Sequence, residues 1–308
     1  MKKVNTKLIY DLEWVISSPA IFNSGNYGSV LKLENNTLEN LNLCADSRIS
    51  LSDYSEKLTE FLGKKNTLLI GKYFEALFEF GLILSPDIDL LFSNQQITDH
   101  KNNTIGEIDF LYRDMKSGNL HHLELAGKFY LALNNIPDWN NFIGPNPADN
   151  LAKKMEHLVV KQVPLLKTDA GREFLKKHNL DYPVNSKYLL KGYIFYHYPL
   201  FQTHNFVSPT KAKKDHLKGW WIRSDEINLL EHGDLCYYIL ERKEWMRTMP
   251  KSNDDIMSFR EVKDKVLLYF QHNNYPLLIS RMREDVGSFK ETDRGFIVSK
   301  FWPNTEQL

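Results

Sequence analysis

Two carboxylates interrupt runs that otherwise read as buried β-strand. In Thr104-IGEIDFLYR-Asp114, Asp109 lies between Ile108 and Phe110, and in His121-HLELAGKFYL-Ala132, Glu124 lies between Leu123 and Leu125. Aspartate is unfavourable in a strand, and a buried carboxylate without a partner is costly. Alternation puts Glu107, Asp109 and Leu111 on one face of the first run. It puts His122, Glu124, Ala126, Lys128 and Tyr130 on one face of the second. The Asp, Ser, Gly and Asn of Asp114-MKSG-Asn119 suit a hairpin turn, so Asp109 and Glu124 can share a face of an antiparallel pair. Carboxylates that close repel each other unless a cation or a proton lies between them. Mg²⁺ is the natural cation, because it takes hard oxygen ligands and keeps several waters for chemistry. Lys128, on Glu124's face, can offer positive charge to a phosphate or help deprotonate an attacking water. A third acidic candidate, Glu75, lies on the preceding helix, off its apolar stripe.

These residues need elements to position them. Leu8 to Ile16 reads as a short helix stopped by Ser17-Ser18-Pro19, residues 23–53 as loops with short strands, and Tyr54 to Leu62 as a helix broken at Gly63. From about Thr67 to Leu84, Leu69, Tyr73, Leu77 and Phe80 form a helical stripe, with Lys72, Glu75 and Glu79 off it and Pro86 at the exit. After the hairpin, Asn146 as N-cap, Pro147 at N1 and Asp149 in the first turn predict a helix start. That helix carries Leu151, Met155, Leu158 and Leu165, with Gln162 on the same apolar stripe and Pro164 shortening its end. Lys187-YLLKGYIFYHY-Pro199 reads as a further strand of the same sheet. Residues 206–308 read as α+β, with strands at Gly219–Arg223, Leu235–Leu240 and Gly295–Trp302 and a helix from Arg260 to His272.

Composition bounds the rest. A chain of 308 residues, 42% hydrophobic and 25% charged, is globular and has ample length for a core. Lys+Arg and Asp+Glu are both 39, so any nucleic-acid contact needs a local basic patch. Lys211-AKKDHLKGWWI-Arg223 interleaves lysines with Trp220 and Trp221, which fits phosphate contacts with stacked bases or a solvated loop before a core strand. Cys44 and Cys236 make no disulfide framework, and no CxxC pair is present. Asp11 and Glu13 interrupt any export signal, and charges at Lys72, Glu75, Glu79, Asp87 and Asp89 exclude a bilayer span over Leu68–Phe92. The expected compartment is the cytoplasm. His121-His122 and His197 lack zinc-site spacing, and there is no GxSxG elbow or phosphate-binding loop.

The order of the acidic residues resembles the PD-(D/E)XK nuclease superfamily, with its restriction-endonuclease-like fold. Glu75 in GKYFEALFEFG would match its helix glutamate, Asp109 in GEIDFLYRD its strand aspartate, and Glu124 with Lys128 in HLELAGKFYL its acid–lysine element. Gln162 would match a glutamine on the following helix of some exonuclease branches. Three residues separate Glu124 from Lys128 where the superfamily has one, roughly 13 Å along a flat strand. More narrowly, DLEWVISSP, the hairpin and IGPNPADNLAKKMEHLVVKQ are similar to the bacterial family named domain of unknown function 1853, best from Leu8 to about His197.

The resemblance implies an α/β, restriction-endonuclease-like mixed sheet flanked by helices. Its divisions would be an N-terminal helix and loops (1–53), a nuclease-like core (54–205) and a C-terminal α+β region (206–308). It implies phosphodiester hydrolysis of nucleic acid, DNA first, dependent on Mg²⁺ or Mn²⁺. Asp109 and Glu124 would hold the metal with the Leu125 carbonyl, and Glu75 would reach it through water or a second ion. Lys128 would position the nucleophile, and Gln162 would orient it or a phosphate. Two other classes stay open: a nucleic-acid-binding module that keeps the fold without the chemistry, and a protein-interaction or structural protein. Glu124 and Lys128 as a plain same-face ion pair, Glu75 and Glu79 as a solvated helix side, and Gln162 as a satisfied core amide are the corresponding structural roles.

Overall fold

The N-terminal apolar run folds as α1 (Thr6–Ser17) and is followed by β1 (Ala20–Asn23). The structure, a computed structural model, describes residues 4–23, 51–180, 183–248, 250–252 and 255–304. Most of the loop reading over 23–53, with Cys44, lies outside the described residues. Then come α2 (Leu51–Gly63), α3 (Ile70–Leu84), β2 (Ile88–Thr98), β3 (Thr104–Asp114), β4 (Leu120–Ala132) and β5 (Phe142–Ile143). After these stand α4 (Leu151–Glu156), a π-helical turn (His157–Gln162), α5 (Asp169–Lys177), β6 (Val184–His197), α6 (Tyr198–Gln202) and β7 (Leu217–Arg223). The chain continues through β8 (Cys236–Leu240), α7 (Phe259–His272), β9 (Leu277–Asp285) and β10 (Ser288–Val298). The architecture is mixed α/β, with parallel and antiparallel ladders and flanking helices. Among the described residues no helix is long and apolar enough to cross a membrane.

The chain divides into two units, Met1–Gly127 with Lys154–Lys191, and Lys128–Lys153 with Gly192–Leu308. In the first, β2, β3 and the start of β4 pair antiparallel, and β1 pairs antiparallel with the start of β6. The predicted hairpin turn forms: Asp114 Oδ1 accepts from Lys116 N and Ser117 N, and Gly118 takes φ +71°. Ile97, Ile108, Leu111 and Leu120 form a core with Leu165, Leu166, Leu175 and Leu180. On α3, Tyr73, Leu77 and Phe80 are buried as their stripe predicts, whereas Leu69 precedes the helix and is exposed. Glu79 is not on a solvated side. It is buried, and Lys65 Nζ and Ser93 Oγ donate to it. Gly127 of β4 faces Phe74, and a Cβ there would lie 2.9 Å from the buried ring. Gly127→Ala should therefore cost about 1–2 kcal/mol of stability, readable as a lower urea midpoint at unchanged slope.

Two expectations about helices and strands need correction. The helix after the hairpin starts at Leu151, not at Asn146. Asn146 instead closes a turn, accepting from Ala148 N on its side chain and from Asp149 N on its carbonyl. Asn150 caps the helix, its Oδ1 accepting from Lys153 N. β2 falls where no strand is expected, because a register shift between Leu90 and Phe92 breaks the alternation that would reveal it.

In the second unit, β5 pairs with the end of β4, the end of β6 runs parallel to β7, β7 parallel to β10, and β10, β9 and β8 are antiparallel. Trp220 and Trp221 are core residues of β7, with Nε1 groups donating to Asp293 Oδ1 and the Ala132 carbonyl. The indoles are therefore not exposed platforms for bases; Lys211, Lys213 and Lys214 form the exposed loop before them.

Candidate functional site

The β3–β4 pairing runs from Arg113↔Leu120 through Leu111↔His122 to Phe110↔Leu123. The next position in this register sets Asp109 opposite Glu124, and there the carboxylates take over from the main-chain ladder. Leu125 N donates to Asp109 Oδ2 at 2.7 Å, and Asp109 N approaches Glu124 Oε1 at 3.4 Å. The sequence places the pair correctly because the period of two fixes both faces and the turn fixes the register. Each carboxylate thus also satisfies an amide of the opposite strand.

Burial makes the pair electrostatically expensive. Asp109 is 8% exposed and Glu124 fully buried. Loss of water, then repulsion from Glu124 and Glu75, holds the Asp109 carboxyl well above its ordinary range, against the Leu125 amide and the Lys154 charge. Loss of water likewise raises Glu124 to about 7, opposed by the Asp109 amide and by Lys154 and His157. A cation between the oxygens would reverse this cost.

Both oxygens of Glu124 are anchored. His122, two residues earlier on the same strand face, places Nε2 2.7 Å from Oε1 and Nδ1 3.2 Å from Ser186 Oγ. Burial pushes the imidazole down to about 4, so the ring is neutral at pH 7. Against an ionised Glu124, the Nε2–H tautomer donates to the carboxylate while Nδ1 accepts from the Ser186 hydroxyl; against a protonated one the roles reverse. Gln162 Nε2 donates to Oε2 at 2.5 Å.

The π-helical turn brings Gln162 there. Val163 N donates to the Leu158 carbonyl, five residues back, and Pro164 offers no N–H to the Val160 carbonyl. The wider turn carries Gln162 back to His157, which lies three residues after Lys154 on the same helical face. Gln162 Oε1 accordingly accepts from His157 Nδ1 at 3.0 Å and from Lys154 Nζ at 3.2 Å.

Glu75 comes near through charge rather than contact. Its carboxylate pairs with Lys72 Nζ at 2.6 Å, and Lys72 also reaches Asn94 Oδ1 at 3.1 Å and Glu107 at 3.6 Å. Lys128 belongs to the second unit, where it donates to Asp149 Oδ2 at 2.6 Å. The contacts therefore bring Asp109, Glu124 and Gln162 together, with Glu75 within electrostatic reach. His122, Lys154, His157 and Lys72 are additional. His122 could have been found from its position two residues before Glu124, whereas Lys154 and His157 depend on the π turn.

The donor set fits one kind of metal. Among the described residues no group of three or more His, Cys, Asp or Glu side chains is placed to hold a metal ion, as a protein-built zinc site requires. Two adjacent carboxylates match the way Mg²⁺ is held, with waters and substrate phosphates completing the octahedron. Comparison with known proteins finds one family model, described as "Domain of unknown function (DUF1853)", matching residues 10–298. No curated protein and no solved structure matches the chain.

Proposed function

We propose that this chain, which belongs to the DUF1853 family, is a Mg²⁺- or Mn²⁺-dependent phosphodiesterase of the PD-(D/E)XK type acting on nucleic acid, DNA first. One observation carries the reading: two buried carboxylates meet at the end of a strand ladder, both pushed toward the protonated form by burial. Asp109 and Glu124 would hold the ion, with the Leu125 carbonyl beside them and Glu75 reaching it through water. When bound, such an ion polarises the phosphoryl oxygens and lowers the pKa of its water. His122 and Gln162 fix the plane of the Glu124 carboxylate, which keeps its geometry constant as charge develops. Lys128 is the superfamily's candidate for positioning the nucleophile, and its bond to Asp149 competes with that role.

Purified protein offered a panel of DNA and RNA substrates should cleave at least one in Mg²⁺ or Mn²⁺ and lose that activity in excess EDTA. Protein that cleaves none of them and gives no heat on titration with either ion would defeat the proposal. A second reading, binding without cleavage, draws support from the occupied oxygens of Glu124 and the engaged Lys128. It predicts salt-sensitive nucleic-acid binding that survives Asp109→Asn in a protein that never cleaves.

A further inference from the structure

We propose that the second unit carries a binding site for a nucleoside monophosphate, in a cavity at the carboxyl ends of two parallel strands. β7 and β10 run parallel, with Arg223 opposite Val298 at the end of their ladder. The residues that follow, Ser224-Asp225 and Ser299-Lys300, therefore leave the sheet side by side, from strands about 4.8 Å apart. All four line a cavity of about 640 Å³, which is within the range of small-molecule sites. A crevice outside the carboxyl ends of parallel strands is where α/β sheets take their ligands. The last turn of α7, with Phe270, and the loop after it, with Asn274, supply more of the wall. The site lies wholly within the second unit and does not depend on the metal reading of the first.

The wall holds polar groups that the protein leaves unused. Ser224 is 6% exposed, yet its hydroxyl has no hydrogen-bond partner among the described residues. A hydroxyl that has lost most of its water without a replacement bond is costly, and a ligand oxygen in the cavity would satisfy it. Asp225 and Lys300 carry opposite charges on neighbouring strand ends, and neither forms an ion pair with a described residue. The Lys300 ammonium lies over the Phe301 ring, 4.9 Å from its centroid, which orients the charge without cancelling it. The cavity beside Glu291, Asp293 and Arg294 differs, because Glu291 is paired with Arg294 and Asp293 with Arg281. An anion for Lys300, hydroxyls that donate to Asp225 and a flat ring against Phe270 and Phe301 together describe a ribose phosphate with its base. The Asn274 amide offers both a donor and an acceptor to the edge of that base.

The test is calorimetric titration of the whole protein with 5′-AMP, its 2′-deoxy analogue, ribose 5-phosphate and inorganic phosphate. Excess EDTA keeps divalent ions from the carboxylates of the first unit. AMP should bind about tenfold more tightly than each of the other three, which lack a hydroxyl, the base or both. Lys300→Met should weaken AMP about tenfold or more. Asp225→Asn should do the same and also remove the preference for AMP over its deoxy analogue, which a packing role would not. Both side chains are exposed, so the urea midpoints of these variants should match wild type. A wild type that takes up none of the four at about 1 mM, or either variant binding AMP within threefold of wild type, would overturn the site. Ribose 5-phosphate binding as tightly as AMP would overturn the nucleoside assignment, and AMP binding lost in Asp109→Asn would place the ligand elsewhere.

Discussion

Asp109→Asn and Glu124→Gln should each lower Mg²⁺-dependent cleavage by about 10³-fold or more, leaving the protein folded. A bound divalent ion contributes several kcal/mol of transition-state charge stabilisation, and about 4 kcal/mol corresponds to that factor. Both substitutions are close to isosteric. Asn at 109 keeps a carbonyl oxygen to accept from Leu125 N, so the end of the β3–β4 ladder is preserved. Gln at 124 keeps an acceptor for one of its two anchors, His122 or Gln162, and presents an amide N–H₂ to the other. The ring of His122 can accept from that group when it is the Nδ1–H tautomer, with Ser186 accepting in turn. What both variants lose is negative charge, and with it the hard anionic ligand that Mg²⁺ requires. Circular dichroism should be unchanged, and the heat of Mg²⁺ titration should fall to background. Either variant cleaving within tenfold of wild type would show that the pair does not hold the ion.

Much of this site is legible in the sequence, and the illegible parts have identifiable causes. Asp109 and Glu124 can be paired from alternation and a turn because both are local properties of one hairpin. Gln162 stands out as a polar side chain on an apolar stripe, yet its partners follow from a π-helical turn that no residue pattern announces. Lys128 shares Glu124's strand face by parity. Its partner Asp149 lies 21 residues away, in a loop that the Asn146-Pro147 pair made look like a helix start. His122 lacks zinc-site spacing, and no residue pattern shows that its ring meets the Glu124 carboxylate. Trp220 and Trp221 follow lysines in the chain, but the strand they occupy is central and both faces are covered. In each case the missed information concerns which distant segment a side chain meets, not which element it belongs to.

Metal-free stability should depend on pH in a way that two substitutions separate. Glu124 has a folded value of about 7 against an ordinary 4.5, so the folded state holds its proton longer than the unfolded state does. That stabilisation is fully present below pH 4.5 and is lost as pH rises to about 7. Asp109 is raised for the same reasons and acts in the same direction. His122 does the opposite. Its folded value of about 4 against 6.5 means that stability falls as pH drops from 6.5 to 4. Between pH 4.5 and 6.5 the unfolded chain carries a charged His122 and a charged Glu124, whereas the folded chain carries both neutral. For these two groups folding moves a proton from His122 to Glu124, and their slopes, each about 1.4 kcal/mol per pH unit, nearly cancel, which leaves the downward slope of Asp109. Glu124→Gln leaves the histidine slope opposed only by that of Asp109, so its urea midpoint should fall less with pH from 4.5 to 6.5 than that of wild type. His122→Asn removes the opposing histidine slope, and its midpoint should fall more steeply than that of wild type over the same interval. At pH 8 in EDTA, Glu124→Gln should exceed wild type by on the order of 2–3 kcal/mol, and at pH 5 by little. Mg²⁺ should raise the wild-type midpoint at pH 8 and leave it nearly unchanged at pH 5, because the ion binds the ionised pair and competes with its protons. Equal Mg²⁺ effects at the two pH values, or parallel pH profiles for the two variants, would mean that the buried carboxylates do not govern this part of the stability curve.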